Sequence, residues 1–98
     1  LASAKANLAV VADAMGLHPR SLQQRLASEG VQFSELLTQA RRNVVDAFVR
    51  SERRPDLMRL AYRLGYSEAS NASRFLRQHF GKGLRQLIRD HRDAMTRS

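Results

Sequence analysis

The sequence predicts an all-α chain in which two small helical subdomains hang on one long central helix, about seven helices in all. Three observations predict it. Apolar residues recur at helical spacing from end to end, with no sustained apolar/polar alternation and no Asn-Gly or Asp-Gly hairpin. The breakers are few, two Pro and five Gly, and most fall between the periodic segments. A short pattern also occurs twice, at a register of 49 residues (Ala12 to Ala61).

Residues 1–6 read as a short opening helix or a frayed end. Asn7 then serves as the cap of a helix over 8–15, which Gly16 stops by accepting left-handed geometry. Pro19 suits the first position of the next helix, 19–28, which ends before Gly30. The longest element covers about 33–52. Phe33, Leu37, Ala40, Val44 and Phe48 form its apolar stripe, with Leu36 and Ala47 beside it. Arg53, Arg54 and Pro55 break that pattern, and Asp56 caps a helix over 57–64. Gly65 ends it, Ser67 caps a helix running to about Phe80, and Gly81-Lys82-Gly83 precedes a last helix from Leu84 to about Met95. The organisation expected is a first subdomain over 1–32, a linker helix over 33–54 and a second subdomain over 55–98.

The repeat gives the subdomains their character. Ala12-Asp-Ala-Met-Gly16 matches Ala61-Tyr-Arg-Leu-Gly65, and each is followed by an apolar residue (Leu17, Tyr66) and a second helix. Small Ala lets two helices cross closely, Gly turns the chain, and the apolar residue plugs the pair: a helix-turn-helix pattern. Past the turn two alignments compete. Without a gap, Ser21 pairs with Ser70 and Arg25 with Arg74. With one extra residue in the second turn, Leu26 pairs with Leu76 and Gln24 with Arg74. The gapped alignment superposes the apolar positions and is preferred.

Seventeen basic residues against nine acidic give a net charge of +8, and all the bases but Lys5 and Lys82 are Arg, whose planar fork suits phosphates and guanine edges. The absence of Cys excludes a disulfide scaffold and thiol chemistry and fits a reducing compartment. No apolar run approaches the roughly 20 residues that span a bilayer. No nucleophile–base set is visible, so an enzyme is not expected. His18, His79 and His91 lack ligand spacing, so no metal or other cofactor is expected. Gly81-Lys82-Gly83 lacks the frame of a phosphate loop.

The chain resembles the DNA-binding domain of the AraC/XylS transcriptional regulators. Ala12-x-x-x-Gly16, Pro19 through Leu26, Gly30, Phe33-Ser-Glu-Leu-Leu37 and Arg41-Arg42 carry the resemblance, followed by Leu60 through Ser67, Ser70, Ser73-Arg74 and Phe80-Gly81. It implies two homeodomain-like helix-turn-helix units, double-stranded promoter DNA as partner, RNA polymerase as a second candidate partner, and a cytoplasmic, nucleoid-associated bacterial protein. It also implies an effector or dimerisation domain preceding residue 1, so the piece beginning at Leu1 is expected to be monomeric, with dimerisation left to the missing domain. The departures are His18 where Ser usually caps the first reading helix, Ala72 where an aromatic is usual, Phe75 where a small residue is common, and Lys82 through Ile88 in place of the usual signature.

Leu22 and Leu26 should face the core, leaving Arg20, Ser21, Gln23 and Gln24 outward, where Arg pairs with guanine and Gln with adenine. The resemblance adds Ala69, Ser70, Asn71 and Arg74 on the second reading helix, and the eight residues together are the expected base contacts. Arg41, Arg42, Arg59 and Arg63, with Ser67, Ser73 and Arg77, are the expected phosphate contacts; Arg85 and Arg89 are further basic candidates. For Arg41 a structural tie between the linker helix and a neighbouring unit is the competing reading. Glu68 reads as a cap more readily than as a contact. Two other functions compete: a basic helical RNA-binding or architectural module, and a helical domain for an acidic protein partner. Six aromatics, mostly on core stripes, argue against single-strand stacking.

Overall fold

The computed structural model describes residues 2–29 and 33–97. Among the described residues six helices follow one another: α1 (Ala2–Met15), α2 (Pro19–Glu29), α3 (Phe33–Ser51), α4 (Leu57–Arg63), α5 (Ala69–Phe80) and α6 (Leu84–Arg97). The expected seven become six because the opening segment and the helix over 8–15 are one helix. Asn7 therefore lies inside α1 and caps nothing. The Ala-rich sequence favours a continuous helix, and the Asn7 side chain is used elsewhere, as a partner of Arg41.

α3 is the spine. Its 19 residues make a rod of about 28 Å. Its N-terminal half packs with α1 and α2 around Val10, Val11, Ala12, Leu22 and Ala40. Its C-terminal half packs with α4, α5 and α6 around Phe48, Leu60, Leu64, Leu76 and Ile88. Val44 touches both clusters. The stripe needs one correction: Val45 is buried at 1% exposure, whereas Ala47 is exposed. Val45 faces the second cluster and Ala47 lines an open groove.

The two turns repeat bond for bond. In the first, Leu17 N–H donates to Ala12 O (2.8 Å) and Gly16 N–H to Asp13 O (3.1 Å). In the second, Tyr66 N–H donates to Ala61 O (2.9 Å) and Gly65 N–H to Tyr62 O (3.1 Å). Both are the paired 6→1 and 5→2 closure of a Schellman helix end. That closure needs a left-handed residue, and Gly16 (φ 68°) and Gly65 (φ 87°) supply it. Ala12 and Ala61 are both buried, as a close helix crossing requires.

The second turn is one residue longer: α2 begins three residues after Gly16, α5 four after Gly65. The gapped alignment follows, with Leu22 opposite Ala72 and Leu26 opposite Leu76. Leu22, Ala72 and Leu76 are fully buried, and Leu26 packs on the first cluster. Ala72 and Phe75 share one core cluster, so the small and large side chains fill it together.

The caps differ from expectation at two places. His18 Nδ1 accepts from Arg20 N–H at 3.2 Å, so the imidazole does the work of the missing Ser. α5 is capped by Glu68 in extended backbone, as the cap reading of that residue has it, and not by Ser67; Glu68 makes no side-chain cap bond. Asp56 caps α4 as expected, accepting from Arg59 N–H at 3.1 Å. Gly30, expected to end α2, lies outside the described residues. The Lys82–Gly83 segment leads into α6 without disorder of register: Lys82 Nζ pairs with Asp90, and Leu84 and Ile88 are buried.

Candidate nucleic-acid interface

α2 and α5 each present one buried and one polar face. On α2, Leu22 turns inward while Arg20, Ser21, Gln23 and Gln24 are all exposed. On α5, Ala72, Phe75 and Leu76 turn inward. Ser70 and Arg74 are exposed, and Ala69 and Asn71 are half-buried. Among the described residues, Arg20, Arg74 and Arg77 enter no ion pair. In the gapped register Gln24 corresponds to Arg74 and Arg20 to Ser70, so the two exposed faces carry different donors.

The expected phosphate set divides. Arg42 and Arg77 are exposed, with the Arg42 guanidinium 5.5 Å from the Phe80 ring. Ser67 is exposed and Ser73 half-buried. Arg59 and Arg63 are exposed but share one carboxylate, Glu52 Oε1, at 3.3 and 3.6 Å. Exposed pairs of this kind are worth little, so both guanidinium groups can leave Glu52 for a phosphate at small cost.

Arg41 is half-buried. Its Nε donates to Leu64 O (3.0 Å), its Nη2 to Asn7 Oδ1 (2.7 Å), and its Cζ lies 4.1 Å from the Tyr66 ring centroid. Burial pulls its pKa below the ordinary value, with Tyr66 opposing the shift. Two of its five N–H donors are thus used inside the molecule, which favours the structural tie over the phosphate contact for Arg41.

Beside this joint a groove of about 1260 Å3 separates α1 from α4, floored by Val44 and Ala47 of α3. Met58 and Tyr62 on its wall are 51% and 80% exposed. Among the described residues no cluster of three or more His, Cys, Asp or Glu could hold a metal ion, and no helix is long and apolar enough to cross a membrane.

Sequence reasoning missed Asn7, read as a cap, and Glu52, which was given no role. Neither had a local signal. Asn7 meets Arg41 across 34 positions, and Glu52 meets Arg59 and Arg63 across the Pro55 break.

The doubled turn and its two polar helices match a family model described as a helix-turn-helix domain over residues 11–92. The chain belongs to the AraC-type helix-turn-helix family. It is similar to the HTH-type transcriptional regulator VirS of Mycobacterium tuberculosis, 38% identical over 76 residues, covering 78% of this chain and 22% of the relative. It is also similar to an uncharacterized HTH-type transcriptional regulator of Mycobacterium bovis, 37% identical over 71 residues, covering 72% of this chain and 20% of the relative. The chain thus spans about a fifth of the length of these relatives. No solved structure matches it at a significant level.

Proposed function

We propose that this AraC-type domain binds double-stranded promoter DNA sequence-specifically, with α2 and α5 entering adjacent major-groove segments. The observation that carries the reading is the doubled turn: the same bonded closure twice delivers a helix with an apolar inner face and a polar outer face. The net charge of +8 supplies the attraction to phosphate.

Base edges are assigned to Arg20, Ser21, Gln23 and Gln24 on α2 and to Ala69, Ser70, Asn71 and Arg74 on α5. Arg or Gln can make bidentate contacts there, and the half-buried Ala69 offers a methyl surface to thymine. Arg42, Arg59, Arg63, Arg77, Ser67 and Ser73 hold phosphates and supply affinity rather than choice. The division proposed is 1–32, 33–54 and 55–98, and the presence of two core clusters along α3 supports it. A rod of about 28 Å between units suits major-groove faces about 34 Å apart. One chain can then read two unlike half-sites without dimerising. RNA polymerase is the second partner proposed, and the nucleoid the place.

Selection of bound sites from random DNA tests this directly. An asymmetric site with two half-sites about one turn apart is expected. Inserting five base pairs between them turns one half-site to the opposite face, and binding should fall towards that of one unit. A required palindrome, undiminished binding to the spaced site, or equal competition by RNA and heparin would overturn the reading.

A further inference from the structure

We propose that Arg41 is the positioning residue that sets the two reading helices relative to each other, so that the half-site spacing the protein accepts is fixed at the α1–α3–α4 joint. The proposal rests on the two-unit reading above. A single guanidinium on the spine holds both units. It takes Asn7 Oδ1 on α1 of the first unit at 2.7 Å and Leu64 O at the end of α4 of the second at 3.0 Å. It also stacks 4.1 Å from Tyr66, the residue that follows the turn Gly65.

The position of each partner explains why this contact governs orientation. Leu64 O is one of the last carbonyls of α4, a group its own helix leaves unpaired. Leu64 itself is fully buried, so Arg41 replaces water there. Leu64, Gly65 and Tyr66 are the turn that aims α5. Asn7 lies on α1 less than two turns before Ala12, where the first turn's closure begins, and that turn aims α2. Elsewhere on this side the units are parted by the open groove between α1 and α4. The planar fork reaches two acceptors in different directions while its face lies on Tyr66, which a Lys ammonium cannot reproduce.

Two variants test it. Asn7→Ala removes one arm of the fork at an interior helix position where Ala is the better helix former. Arg41→Lys keeps the charge and loses the geometry. The chain has no Cys, so label pairs can be placed on exposed Ala27 of α2 and Gln78 of α5. The spin-label distance distribution, measured without DNA, is expected to be narrow in the parent and broad in both variants. On selected sites, each variant should lose about tenfold at the preferred spacing, the size of one hydrogen bond to a charged group, and stay within about twofold on an isolated half-site. The penalty for adding or removing one base pair between half-sites should shrink in both. An unchanged distance distribution, or equal losses on isolated and paired half-sites, would overturn the positioning role. If the parent shows no preference among DNA sequences, the functional reading fails, while the label distances still decide the joint.

Discussion

Glu52→Gln should strengthen DNA binding rather than weaken it. The carboxylate at the end of α3 holds Arg59 and Arg63 at 3.3 and 3.6 Å, and the two Arg side chains are 54% and 43% exposed. Pairs of this kind contribute about 0.2–1 kcal/mol each, so losing both should lower folding stability by about 0.4–2 kcal/mol. The amide is isosteric and leaves the backbone of α3 in place. It raises the net charge of +8 by one and frees two guanidinium groups for phosphate. Arg59 and Arg63 no longer have to leave a carboxylate to reach phosphate, so affinity at a fixed salt concentration should rise by up to about tenfold, while the slope of log K against log salt, about 0.9 per phosphate neutralised, should change by about one or less. Fluorescence anisotropy on one labelled duplex, across a series of salt concentrations, measures both quantities. Sequence preference should not change, because neither Arg is assigned to a base. Weaker binding at low salt would refute the reasoning, since it would show Glu52 shaping the interface rather than occupying its cations.

Other substitutions separate reading from holding and probe the turns. Arg74→Ala and Gln24→Ala should each cost about 1–3 kcal/mol and relax one position of the selected site, whereas Arg77→Ala should weaken all sequences alike; site selection with each variant distinguishes the two patterns. Gly16→Ala meets nothing within 4 Å of the added Cβ, so its cost is the left-handed backbone alone, about 1–2 kcal/mol, read from thermal melts. His18→Ala should destabilise by about 0.5–2 kcal/mol through loss of the α2 cap, and His18→Asn should recover most of it in the same melts. Hydrogen bonds from Lys82 and Gln86 hold the Asp90 carboxyl below its ordinary pKa of 3.8. Its contribution is therefore present above that ordinary value and lost as pH falls through the depressed one. An NMR titration should show Asp90 moving back up in Lys82→Ala.

The turns and all the helix boundaries but the one placed at Asn7 were legible because they are local. Pro19, Asp56 and the glycines at 16, 65 and 81 act on their own backbone, and each stands where the sequence placed a boundary. The repeat, too, was visible as spacing, and the extra residue of the second turn followed from superposing apolar positions. What escaped was non-local. Asn7 has the side chain of a cap, but an acceptor 34 positions from its donor leaves no trace in the spacing around it. His18 counts as a departure by residue type, although a ring nitrogen accepts a backbone N–H as an oxygen does. Ala47 and Val45 lie on either side of the same stripe, and only the position of the second unit decides which is covered. On the site, the exposed polar face of α2 was readable from period, whereas the residues of α5 came from the resemblance, and two of them, Ala69 and Asn71, are half-buried. The withdrawal of Arg41 into the joint, and the pairing of Arg59 and Arg63, depend on contacts across elements.

The sharing of α3 bears on how the domain comes apart. Ala40 belongs to the first cluster, Val45 to the second, and Val44 to both, within six consecutive residues of one helix. Neither cluster keeps its floor if those turns of α3 melt. The loss of one unit therefore uncovers apolar surface of the other, and the two should unfold as one cooperative block rather than as beads on a string. Denaturant melts followed at α2 and at α5 would then share a midpoint. Amide exchange would be slowest in the middle of α3, where opening requires both halves to give way together.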